Sequence, residues 1–151
     1  MTITLDYTDL HFDDDSEVLT AGDLDFQFEL LLADLIFRVD GADFTFEEYT
    51  TLLDAAAILQ GRVNLIKDGE TSTYVNPISD ETLSFARTGD QVAISANYTK
   101  ATASVALAEL KETVDGFLQR VTQDLLIRYP GLVENPAAAK LMAPVPDGSL
   151  G

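Results

Sequence analysis

One histidine, His11, stands just ahead of Asp13, Asp14, Asp15 and Glu17. An imidazole beside clustered carboxylates has two chemistries open to it. It can act as a general base, or it can join oxygen ligands around a metal ion. The rest of the chain completes neither. There is no cysteine and no second histidine to finish a transition-metal set. The acids do not follow the spacing of an EF-hand loop. No serine lies in a Gly-x-Ser-x-Gly elbow, so Ser-His-Asp catalysis would have to recruit His11. No glycine-rich phosphate loop occurs. A carboxylate pair can always be picked from 26 acids, but there is no tryptophan to form a sugar platform. The reading of 13–17 is therefore a solvated acidic loop, and no catalytic residue, metal or cofactor is assigned.

The acids say more as a field than as a site. The chain has 151 residues, 26 of them acidic and 9 basic, a net charge of −17. Residues 1–50 hold 14 acids and a single base, Arg38. The remaining residues hold 12 acids and 8 bases. Such a field repels nucleic acid and anionic membranes and attracts basic proteins. The bland reading is that acidity only maintains solubility or reflects a salty cytoplasm. The first residues lack the basic and apolar regions of a signal peptide, and no apolar run reaches the ~20 residues of a membrane span. The simplest placement is the cytoplasm of a prokaryote.

The elements that must carry these residues follow from periodicity. Ile3, Leu5 and Tyr7 alternate with polar residues, which predicts a half-buried strand. Residues 11–17 read as a loop, and Val18-Leu19 as the start of a short strand. Leu24, Phe26, Phe28, Leu30 and Leu32 alternate with Asp25, Gln27 and Glu29, predicting a strand with an acidic outer face. The apolar phase then shifts to Leu35, Phe37 and Val39, so a bend near Ala33-Asp34 is expected. Asp40-Gly41 predicts a hairpin. Glu47-Glu48 favours a helix start, with Gly61 as its stop and a short strand over 62–66. Strands are expected over 71–75, 83–86, 92–96 and 102–107. Leu107, Leu110, Val114, Phe117, Leu118, Val121 and Leu125 form a helical stripe that Pro130-Gly131 ends. Its outer face offers Lys111–Asp115 and Arg120–Asp124–Arg128 as i,i+4 pairs, and Gly116 suggests close packing on the sheet. Asn135-Pro136 predicts a short helix to Met142. Residues 143–151 read as a frayed tail beyond a single domain, 1–142.

The class is α+β: a mainly antiparallel sheet of six to eight strands with one short and one long helix on one face. Tyr7 and Tyr49 are assigned to the core; Tyr74, Phe85, Tyr98 and Tyr129 to the core or its rim. The acids offered to a partner are Asp13, Asp14, Asp15, Glu17, Asp23, Asp25, Glu29 and Asp34.

The order of an acidic N-terminal region, the Asp40-Gly41 hairpin, the hairpin around Thr88-Gly89-Asp90 and a long helix ending Arg128-Tyr129-Pro130-Gly131 resembles small bacterial proteins of uncharacterised families. These include immunity proteins of polymorphic toxin systems. The resemblance implies an acidic protein that covers the active site of a basic nuclease-type toxin, with no catalytic residue to carry over. Two alternatives stand beside this inhibitor-type reading. One is an assembly module forming a homo-oligomer, in which another chain covers Leu31 and Ile36. The other is a small-ligand domain.

Overall fold

Two helices supply much of the core. The computed structural model of the chain describes residues 2–148. Numbering helices in chain order, α3 spans Leu52–Leu65 and α4 spans Leu107–Arg128. The seven apolar residues of the α4 stripe are all buried. Each contributes about 1.5–3 kcal/mol for leaving water. Burial on α3 runs almost all round and includes Asp54, Gln60 and Asn64. It is a core helix rather than a surface one.

Among the described residues, eight strands in two four-stranded sheets flank these helices. In the first sheet β2 (Leu32–Val39) pairs antiparallel with β1 (Ile3–Thr8), in the register Leu5↔Phe37 and Tyr7↔Leu35. Two short strands, β3 (Ala42–Asp43) and β4 (Thr50–Thr51), also pair with β2. The second sheet is an antiparallel meander of β5 (Thr71–Val75), β6 (Thr82–Thr88), β7 (Gln91–Ala96) and β8 (Ala103–Ala106). Gly89, at φ +62°, makes the β6–β7 turn. The sheets meet where the Phe37 ring lies 6.4 Å from Phe85, and one apolar core joins both to α3 and α4. Glu81, just ahead of β6 in the second sheet, accepts from the backbone N–H groups of Glu47 and Glu48 in the β3–β4 loop of the first, at 2.8 and 3.2 Å. Arg120 donates to the Leu5 carbonyl at 2.6 Å, and the Tyr7 hydroxyl donates to Asp124, which fixes β1 on α4.

The α+β class, the antiparallel pairing and the strand number match the expectation from sequence, but the strands divide between two sheets instead of forming one, and two helices ahead of β2 form where no helix was expected. Five α-helices form among the described residues. Residues 23–28 form α2 (Asp23–Phe28), not a strand, and the chain bends at Leu30-Leu31 before β2 begins. Alternation over six residues fits either structure, and Asp23 and Asp25 in a first turn favour the helix. Leu31 takes φ +58° there while fully buried, held by N–H donation to Asp13 Oδ2 at 2.7 Å and by accepting from Leu52 N. It is therefore covered within the chain, not left for another copy. Residues 15–19 are also helical, α1 (Asp15–Leu19), where a loop and a strand start were expected. Asp14 caps it by accepting from Ser16 N at 2.9 Å.

Helix α3 starts at Leu52 rather than at Glu47 and runs through Gly61, so no strand forms over 62–66. Buried Val63 and Asn64 hold that last turn against the core despite the glycine. Tyr49 is exposed, not core. On α4 the expected i,i+4 pairs give way to longer reaches: Lys111 to Asp147, Arg120 to Asp6 and Arg128 to Asp15. Lys111 is buried rather than outward. A Cβ on Gly116 would meet nothing within 4 Å, so that glycine marks no close packing.

The C-terminal helix α5 (Pro136–Met142) forms as its Asn-Pro start indicates. Beyond it, Val145 and Asp147 make specific contacts with α3 and α4. The rest of the expected tail, 149–151, lies outside the described residues.

Candidate protein-binding face

Most of the acids offered to a partner are already engaged by the fold. Asp13 has only 11% of its side chain exposed. One oxygen accepts from Leu31 N, the other lies 3.4 Å from His11 Nε2, and its carbonyl accepts from the Tyr129 hydroxyl at 2.7 Å. Asp14 serves the α1 cap, and the Ser16 hydroxyl and N–H hold its carboxyl below the usual range. Asp15 pairs with Arg128 at 2.8 Å, and Asp23 with Lys140 at 3.2 Å. Asp25 accepts from Gly22 N at 2.9 Å and closes the first turn of α2.

Asp34 stands apart from these. It lies on β2 opposite Thr8, where burial and the adjoining Asp9 carboxyl raise its pKa. Two acids remain. Among the described residues, the exposed Glu17 and Glu29 side chains make no hydrogen bond or ion pair. Glu29 occupies the C-cap of α2, where the negative end of a helix disfavours a carboxylate. Local helix stability does not explain it.

The expected acidic strand face hid an apolar feature. In a strand, Leu24, Phe26 and Phe28 would share one side. In a helix, two residues subtend roughly 200°, so Leu24 and Phe28 share one face and Phe26 takes the other. Phe26 is buried, whereas Leu24 is 68% and Phe28 44% exposed. Two large apolar side chains one turn apart therefore face solvent beside Glu29. The signal was present in Gly22-Asp23-Leu24-Asp25, a capping residue followed by acids in a first turn.

The α1–α2 corner that carries Leu24 and Phe28 is held from behind. Asn135 Nδ2 donates to the carbonyls of Val18, Leu19 and Ala21, and its Oδ1 accepts from Ala137 and Ala138 N–H. The Thr51 hydroxyl donates to the Gln27 carbonyl at 2.8 Å and ties the end of α2 to β4. The face is thus presented on anchored backbone.

Among the described residues no group of three or more His, Asp or Glu side chains is placed to hold a metal ion. Among the same residues no helix is long and apolar enough to cross a membrane. Comparisons with protein-family models, curated proteins and solved structures find no match to the chain.

Proposed function

We propose that this protein is an acidic binding protein of inhibitor or immunity type, engaging one basic protein through the exposed face of α2. The observation that carries the reading is the Leu24–Phe28 pair, exposed on an anchored helix beside the unpaired Glu29. Protein interfaces are built this way, with an apolar centre that excludes water and a charged rim that steers and orients. The −17 net charge supplies long-range attraction to a basic partner. Glu29 acts in the rim, Glu17 and Asp34 add to the field, and Asp13, Asp14 and Asp25 hold the backbone that presents the face. The reading needs no catalytic step and no cofactor, and it places the protein in the cytoplasm with its partner.

The test uses the tagged full chain as bait in three forms: unchanged, Phe28→Ser and Glu29→Lys. The reading requires one basic protein captured near equal stoichiometry by the unchanged bait and lost by Phe28→Ser. With that protein purified, Glu29→Lys should slow association and flatten its salt dependence. Capture indifferent to both substitutions would sink the reading.

A second reading rests on the same exposed pair, which a symmetric dimer would also bury. Sedimentation across protein concentration and salt separates the two, because self-association of a chain this acidic should strengthen as salt screens repulsion.

A further inference from the structure

Between α3 and α4 runs a groove unlike the apolar interface expected of two packed helices. Its walls carry the buried polar side chains Gln60, Asn64 and Lys111. Asp115 Oδ1 accepts from Gln60 Nε2 and Asn64 Nδ2, each at 2.9 Å, and so fixes both amides. What they face is a piece of main chain. Gln60 donates to the Val145 carbonyl and accepts from the Val145 N–H, both at 2.8 Å. A side-chain amide that reads both polar groups of one residue recognises extended backbone. Two residues on, Lys111 Nζ meets Asp147 Oδ1 at 2.6 Å.

The segment held this way has the character of a peptide ligand. Pro144 and Pro146 fix their own φ and bias Ala143 and Val145 toward extended geometry, so little entropy is lost on docking. Ala143 is extended at φ −77°, ψ 118°. The fit is close at its ends. A Cβ on Gly61 would lie 3.4 Å from Val145 Cγ2, and a Cβ on Gly148 would lie 3.2 Å from the Asn64 carbonyl. Yet the segment does not fill the groove. Among the described residues a half-open cleft of about 640 Å³ lies beside it, lined in part by Leu118, Thr122 and Met142. Thr122 Oγ1 is buried and has no hydrogen-bond partner among the described residues. The chain must leave the groove at residue 143 to join α5, which a separate peptide need not do.

We propose that the α3–α4 groove is a binding site for an extended Pro-x-Pro-Asp-Gly segment of a partner protein, occupied in cis by residues 144–148. Gln60 reads the backbone of the residue between the prolines, and Lys111 reads the acid. The half-open cleft, and a Thr122 hydroxyl without a partner among the described residues, favour a foreign segment that reaches further than the cis one. Charge argues against a second copy, since two chains of −17 repel. The site is separate from the α2 face and does not depend on its role.

The experiment is fluorescence polarisation with a labelled Ala-Pro-Val-Pro-Asp-Gly peptide against the full-length chain. Asp147→Ala loosens the cis segment and leaves Gln60 and Lys111 in place. It should bind the probe roughly tenfold or more tighter than the unchanged chain, whose own segment competes at high effective concentration. Adding Lys111→Ala should remove that gain, as should replacing the probe's Asp by Asn. A Pro144→Gly/Pro146→Gly chain gives a second way to loosen the segment. If both loosened chains keep their native circular dichroism and neither binds the probe, the proposal fails. It also fails if Asp147→Ala mixed with Lys111→Ala forms heterodimers in sedimentation, because the occupant would then be a second copy.

Discussion

Asn135 Nδ2 donates to the Val18 carbonyl at 3.1 Å, joining residues 117 positions apart. The same amide reaches the Leu19 and Ala21 carbonyls, so one side chain closes the corner between α1 and α2 and caps α5. Asn135→Ala takes one donor from each of those carbonyls and removes the cap. It should lower stability by about 2–4 kcal/mol in urea unfolding.

Asp13 and Glu29, equal in charge, should part company on mutation. Asp13→Ala strips the acceptor from the Leu31 N–H, at a position whose backbone is already strained. A loss of about 1–3 kcal/mol is expected. Glu29→Lys, at a helix C-cap, should be neutral or stabilising by up to about 0.5 kcal/mol. Thermal unfolding of the two variants checks the contrast.

Leu24→Ser should change stability by less than about 0.5 kcal/mol, and Phe28→Ser by no more than about 1 kcal/mol. Against the captured partner, each should weaken binding roughly tenfold or more, mainly through faster dissociation. Surface plasmon resonance on the folded variants separates loss of contact from loss of fold.

Asp54 is buried in the first turn of α3, and burial pushes its carboxyl up to about 6. Its folded pKa lies above its unfolded one. Below about pH 3 both states hold the proton and the group is neutral in effect. Between about pH 3 and 6 the unfolded chain releases it first, so stability falls as pH rises, and the penalty persists above that window. Asp54→Asn should therefore match the unchanged protein near pH 3. At pH 7 it should exceed it by about 1–2 kcal/mol, after allowance for solvent screening and for the helix dipole. Melting curves across that range test both sign and window.

Gly116 lies in mid-helix with open space where a Cβ would stand. Gly116→Ala should raise stability by about 0.5–1 kcal/mol, chiefly by restricting the unfolded chain. A lower melting temperature would show that this part of α4 needs the glycine.

The sequence alone determined the elements whose pattern admits one period. Seven apolar residues at helical spacing from Leu107 to Leu125 fit only a helix, and that helix forms. Alternation around Gly89 and the Asn135-Pro136 start were equally legible, because turn and cap chemistry is local. So was the charge, a property of composition. Tertiary structure decided residues 23–28, where six alternating positions serve a strand or a helix, and where Asp25, Asn135 and Thr51 tip the balance. That choice turned Leu24 and Phe28 outward and separated the engaged acids from Glu29. Tertiary structure also decided the fate of residues 144–147. Two prolines with no apolar period read as a tail until the Gln60 amide and the Lys111 ammonium, from two distant helices, are brought to face them. Local sequence encodes period and caps; which buried polar group finds which backbone is settled only when the helices pack.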